Sequence, residues 1–270
     1  MNTHILFLGG GNMATAIIEG LLKQGTDAQH IHVLEINADS RARFAQQGIN
    51  ASETLPASFT PGITVLAVKP QQMKEALAPV AHAVSQSLII SIAAGLPIDL
   101  LSTWLKGHQR IVRSMPNTPA MVGMGITGAC ASQACSTQDK DDADTLLKAC
   151  GQVVWVKEES MLNPVTAISG SGPGYVFLWM EALESAALQM GFDAQQARML
   201  VAHTLRGAAE LAVQSPESFA TLRERVTSKG GTTAAGLQVM IDGLVPGSIT
   251  AGAHAANARA TELGEILKNG

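Results

Sequence analysis

The run Val226-Thr227-Ser228-Lys229-Gly230-Gly231-Thr232-Thr233-Ala234-Ala235-Gly236-Leu237 sets hydroxyls and glycines directly before an apolar, helix-competent segment. A helix that starts there points unpaired N–H groups outward, and its dipole favours negative charge, so the run suits a small anion. The glycines let a ligand approach the backbone, and Ser228, Thr232 and Thr233 add donors. Taken alone, the run also fits an ordinary capped helix after a loop. The other end of the chain gives it a context.

His4-Ile5-Leu6-Phe7-Leu8 reads as a buried strand, followed at once by Gly9-Gly10-Gly11-Asn12-Met13-Ala14 and a helical pattern from Thr15 to Leu22. Gly9, Gly11 and Ala14 fill the three small-residue positions of a dinucleotide fingerprint. They serve the tight turn, the approach of a pyrophosphate and close helix–strand packing, respectively. A second strand, Ile31-His32-Val33-Leu34-Glu35, ends in an acid placed to accept hydrogen bonds from ribose hydroxyls, which favours NAD. Arg41 and Arg43 lie just beyond. They fit either a 2′-phosphate or a solvated helix face, so NADP(H) and NAD(H) both stay open.

Further strands are expected at Ile63–Val68, Ser87–Ile92, Arg110–Arg113 and Gln152–Val156, alternating with helices. Such alternation implies a parallel sheet with ligands at the carboxyl ends of its strands. Val68, Lys69, Pro70, Ala93, Ala94 and Asn117 fall at those ends. Each is a candidate wall of the cofactor site, and each also fits a plain strand-ending turn.

The pattern changes near Lys157–Ser160, which predicts a Rossmann domain over 1–158 and a helical domain over 159–270. A helix opens with Pro173 in its first turn, and others follow at about 193–213, 217–226, 232–242 and 247–267. The segment 173–189 is apolar almost all round, which predicts a helix buried on all sides. Ala251, Ala253, Ala255, Ala256, Ala258 and Ala260 suit close helix contacts. An intertwined homodimer accounts for both features, and a compact monomeric helical domain is the alternative.

The chain has 270 residues, 46% hydrophobic and 15% charged, which suffices for a large core and an interface. A net charge of −4 without a basic run argues against nucleic acid. No run is apolar enough for a membrane span, and the N-terminal run lacks the basic flank of a signal peptide. Cys130, Cys135 and Cys150 lack metal spacing and read as reduced thiols of a cytosolic protein. His30 and His32 make no metal site and read as structural.

With a nucleotide fingerprint at one end and an anion-binding helix start at the other, the chain resembles the pyrroline-5-carboxylate reductase family over its full length. The motifs are Gly9–Ala14, Ala67–Pro70, Ser91–Gly95, Met115–Pro119, Val165–Pro173 and Val226–Leu237. The resemblance implies an N-terminal Rossmann domain and a C-terminal helical dimerisation domain. It implies reduction of 1-pyrroline-5-carboxylate to L-proline by NAD(P)H, the last step of proline synthesis, in homodimers that often assemble into decamers. It also implies a cofactor site at Leu8, Gly9, Gly10, Gly11, Asn12, Met13, Ala14, Glu35, Val68, Lys69, Pro70, Ala93, Ala94 and Asn117. The substrate carboxylate would be clamped by Ser228 and the N–H groups of Gly231, Thr232 and Thr233. Thr166 would reach the ring nitrogen, and Glu159 would stabilise a positive iminium or remain a solvated loop acid.

Lys229 stands where the family often has Pro, and Asn163 where it often has an acid. Thr54 lies in a poorly alignable loop where the family often has a cofactor-contacting Asn. β-Hydroxyacid dehydrogenases share the architecture but use a lysine in the helical region, and no lysine lies between Lys157 and Lys229. A non-catalytic NAD(P)H-binding sensor would need the glycine loop but not the carboxylate clamp.

Overall fold

The computed structural model describes residues 3–269, with side chains through Lys268. Among these residues the strands are β1 (Ile5–Leu8), β2 (Ile31–Leu34), β3 (Asn50–Ser52), β4 (Ile63–Leu66), β5 (Leu88–Ser91), β6 (Ile111–Met115), β7 (Gly125–Ala131) and β8 (Gly151–Trp155). They form one sheet in the order β3-β2-β1-β4-β5-β6-β7-β8. The chain therefore leaves β1 in one direction to build β2 and β3, then returns to place β4 on the other side. That reversal opens a crevice at the carboxyl ends of β1 and β4, where doubly wound sheets bind ligands.

The helices interleaved with the strands are α1 (Asn12–Lys23), α2 (Ala38–Gln46), α3 (Met73–Leu77), α4 (Ile98–Trp104) and α5 (Thr137–Leu147). Period-two alternation sends successive side chains to opposite faces. Ile5 and Phe7 join Ile17, Ile18 and Leu21 of α1 in one core, while Leu6 and Leu8 join Met73, Leu77 and Leu101 in the other. Each such side chain, fully buried, contributes about 1.5–3 kcal/mol.

The expected all-parallel sheet needs one correction. β6 and β7 pair antiparallel, from Val112 opposite Ala131 to Met115 opposite Gly128. Only a short 3-10 turn, Thr118–Val122, connects them, too short for a helical crossover. The turn closes on Gly123 in the left-handed region at φ 73°. β7 also escaped the sequence reading, because glycine, alanine and cysteine supply little strand signal there. Its Gly128 is needed for packing, since a side chain at that position would enter the space held by Val165.

Beyond the sheet come α6 (Leu162–Val165), α7 (Gly172–Gln189), α8 (Ala194–Gln214), α9 (Phe219–Arg225), α10 (Thr232–Asp242) and α11 (Val245–Asn269). The chain divides into two compact units. One runs to Ser171 and takes in the last helix from Ala256 onward, and the other is Gly172–Ala255. Within the first, Leu267 packs on the second core cluster. Asn163 donates to the Thr261 hydroxyl at 3.1 Å.

Within the second unit, α8 opens on a capping box in which Asp193 and Gln196 satisfy each other's backbone N–H groups. α7 departs from the expectation of burial on all sides. None of its residues is buried, and Phe177 and Leu178 are 63% and 65% exposed. Among the described residues much of its apolar surface is left uncovered, which suits contact with another copy.

Candidate active site

The loop after β1 shows why each glycine is there. Gly9 has φ +100°, and a Cβ would lie 2.8 Å from Val68 Cγ1 and 2.9 Å from the Ala67 carbonyl oxygen. Both backbone strain and crowding therefore exclude a side chain. Gly11 differs: a Cβ there would meet nothing within 4 Å, so the space in front of it is open. Gly11 is also the N-cap of α1, with no side-chain cap and no acid in the first turn. The helix thus presents uncapped N–H groups toward open space, as a pyrophosphate requires.

Gly10 turns its N–H to Glu35 Oε2 at 2.8 Å, while Asn37 N–H donates to Glu35 Oε1 at 2.8 Å. One carboxylate thereby joins the end of β2 to the glycine loop. Arg41 Nη1 donates to the carbonyls of Glu35 and Ile36 at 2.7 and 2.8 Å. Arg43 donates to the Ser40 hydroxyl at 3.0 Å.

A cavity of about 620 Å³ opens at these strand ends. Leu8, Gly9, Gly10, Gly11, Glu35, Val68 and Lys69 line it, as the sequence predicts for a cofactor site. Asn12, Met13, Ala14, Pro70, Ala93, Ala94 and Asn117 are not in its wall. Ala14 and Ala93 are buried in the two cores. The Asn117 amide is spent on the protein, donating to the Ser169 carbonyl at 3.1 Å and accepting from Ile126 N–H at 2.9 Å.

Sequence reading missed Ile36, Glu53 and Leu55 and assigned no role to Thr54, yet all four line the cavity, as do Gln72, Glu75 and Val80. β3 gave no apolar signal, and the loop after it follows no motif. Ile36 did carry a signal, an apolar residue directly after the acid, and it is 79% exposed. Open space at Gly11, the uncapped helix and the carboxylate at Glu35 together fit a dinucleotide.

Thr166 lies at the start of a π-helical turn, Thr166–Gly170, closed by the Ser171 N–H bond to the Thr166 carbonyl at 2.8 Å. Such turns recur at functional sites. The Thr166 hydroxyl donates to the Leu162 carbonyl at 2.7 Å, so its remaining capacity is to accept. Glu159 is not a solvated loop acid. Its Oε1 accepts from Arg113 at 2.7 Å and from Ile98 N–H, the first residue of α4, at 2.9 Å. Arg113 is itself 9% exposed.

Ser228, Gly231, Thr232 and Thr233 belong to the second unit. Gly230 takes φ +73°, and Gly231 N–H closes a turn onto the Ser228 carbonyl at 3.0 Å. That N–H is committed, so the clamp loses one expected donor. α10 begins at Thr232 with no side-chain cap and no acid in its first turn. The Ser228 hydroxyl lies against Gly231, where any Cβ would strike it. Lys229, beside it, is exposed.

Comparison with known proteins agrees with this geometry. The family described as "Pyrroline-5-carboxylate reductase dimerisation" matches residues 159–263. The family described as "NADP oxidoreductase coenzyme F420-dependent" matches residues 4–95. A pyrroline-5-carboxylate reductase of Pasteurella multocida is 47% identical, over 87% of this chain and 88% of that protein. The solved structure of such a reductase from Coxiella burnetii is 37% identical with a TM-score of 0.92, covering 97% of this chain and 99% of its own. The Plasmodium falciparum pyrroline carboxylate reductase, solved with NADP bound, is 26% identical with a TM-score of 0.84, covering 97% and 98%. A Rossmann crevice with an open Gly11, followed by a helical dimerisation domain, and identities of this size over nearly the whole length lead to one conclusion: the chain belongs to the pyrroline-5-carboxylate reductase family.

Proposed function

We propose that this chain reduces 1-pyrroline-5-carboxylate to L-proline with NAD(P)H. The observation that carries the reading is the pair of uncapped helix N-termini, α1 at Gly11 and α10 at Thr232, each preceded by glycines. One suits a pyrophosphate and the other a carboxylate, the two anions this reaction brings together. Gly9, Gly10, Gly11, Glu35, Val68 and Lys69 hold the dinucleotide, which supplies the hydride when bound. The Thr232 and Thr233 N–H groups, together with the Ser228 and Thr233 hydroxyls, hold the substrate carboxylate.

The ring imine is basic enough to be protonated, and the iminium is already electrophilic. No strong protein acid is then needed, and the task is positioning. Thr166 has its hydrogen committed to Leu162, so it accepts from the iminium N–H rather than donating to a neutral imine. That polarity favours the reactive protonated form. Glu159 acts at one remove, by fixing Arg113 and the start of α4.

The reading extends to the whole molecule. Residues 1–158 serve as the cofactor domain and 159–270 as the helical domain of a homodimer, with decamers as the family's common assembly. Unpartnered apolar residues on α7 support the dimer. Three free, buried cysteines suit a reducing cytoplasm.

The test is NAD(P)H oxidation by the purified chain with pyrroline-5-carboxylate, with proline measured as product. In Thr233→Ala, KM for pyrroline-5-carboxylate should rise roughly tenfold while nicotinamide affinity holds, because the clamp touches only the carboxylate. Equal loss of both would make Thr233 a structural residue.

A further inference from the structure

We propose that the adenosine end of the cavity is built for an unphosphorylated ribose, so that this chain binds NADH in preference to NADPH, with Glu35 as the discriminating residue. The proposal rests on the reductase reading for the class of cofactor, and goes beyond it by assigning which nicotinamide the protein selects.

Glu35 is fixed before a ligand arrives. Its two oxygens each accept a backbone N–H at 2.8 Å, one from Gly10 and one from Asn37. Each oxygen keeps lone-pair capacity for a hydroxyl hydrogen. A ribose that retains its 2′-hydroxyl can donate to this carboxylate. A 2′-phosphate has no hydrogen to spare there and carries nearly two negative charges.

The cations that could reverse this preference are turned elsewhere. Arg41 is committed to the carbonyls of Glu35 and Ile36 and lies 3.9 Å from Glu53. Its guanidinium ties down the strand end, and neither it nor Arg43 is among the lining residues. Arg43 donates to Ser40 on its own helix. Among the lining residues Lys69 is the one cation, against Glu35, Glu53 and Glu75. Lys69 follows β4, which is separated from β2 by β1. At the usual strand spacing their backbones stand about 10 Å apart. A phosphate at Glu35 therefore meets carboxylates first.

The experiment is a fluorescence titration of the purified chain with NADH and, separately, NADPH. NADPH should bind about tenfold more weakly, as expected for one partly screened like-charge contact. Glu35→Gln keeps an oxygen for Gly10 N–H but removes the charge, and should bring the two dissociation constants within about twofold. Arg41→Gln should leave their ratio unchanged. Equal or tighter NADPH binding by the wild type overturns the proposal, and that arm needs no variant to fold. An unchanged ratio in Glu35→Gln, or a selective loss of NADPH in Arg41→Gln, overturns it as well. A chain that selects NADH yet does not reduce pyrroline-5-carboxylate would sink the reductase reading and leave this one standing. A chain that binds neither dinucleotide would sink both.

Discussion

Three consecutive glycines do three different jobs in the loop after β1. Gly9 answers to positive φ and to crowding by Ala67 and Val68, Gly10 to the Phe44 ring that a side chain would strike, and Gly11 to open space. The distinction makes a prediction. Gly11→Val should fold with near-normal stability, because its Cβ meets nothing within 4 Å. It should nevertheless lose nicotinamide binding, because the branched side chain fills the pyrophosphate's approach. Circular dichroism melts and a cofactor titration check this, and normal binding by a folded variant would refute the assignment. The fingerprint and Glu35 were legible because their chemistry demands particular residues at particular spacings. The Arg113–Glu159 pair was not, since its partners lie 46 positions apart and no local rule links them.

At the scale of elements, the strands made of continuous apolar runs and the helices from α7 onward were readable in the sequence. β3 and β7 were not, for opposite reasons: β3 is short and polar at the sheet edge, and β7 is built of small residues. β3 nonetheless matters to the cavity. Buried His32 on β2 lies 2.7 Å from the Ser52 hydroxyl, and that hydroxyl donates to the Thr54 carbonyl at 2.6 Å. Its single hydrogen is thus spent, so His32 Nε2 must be the donor. This chain of bonds tethers the loop that forms one cavity wall.

Burial pushes the His32 pKa below its usual 6.5. The unfolded chain then binds a proton near pH 6.5 that the folded chain refuses. The contribution to stability is intact above that pH and is lost as pH falls toward the folded-state value. Denaturant unfolding of wild type should weaken below pH 6.5 by up to about 1 kcal/mol per pH unit more than that of His32→Gln. Parallel curves for the two proteins would show that His32 does not govern the acid side.

At the scale of the molecule, the second unit leaves Phe177, Leu178, Met190, Val213 and Val239 largely exposed within one chain. Large apolar side chains left exposed in this number suit an interface. The sequence signalled the surplus of apolar surface through α7 and pointed to an intertwined homodimer, with a compact monomeric helical domain as the alternative; the exposure of these residues favours the first. Light scattering at low micromolar concentration should give a dimer or a multiple of one. An active, well-folded monomer would contradict the reading.

Under the proposed function the cavity at Gly11 takes the nicotinamide and the uncapped start of α10 takes the substrate carboxylate. Mixing the purified chain with NADH and pyrroline-5-carboxylate and counting both products tests that pairing. One L-proline should form for each nicotinamide oxidised, with no oxidation when the substrate is withheld. Tight cofactor binding without proline formation would contradict it.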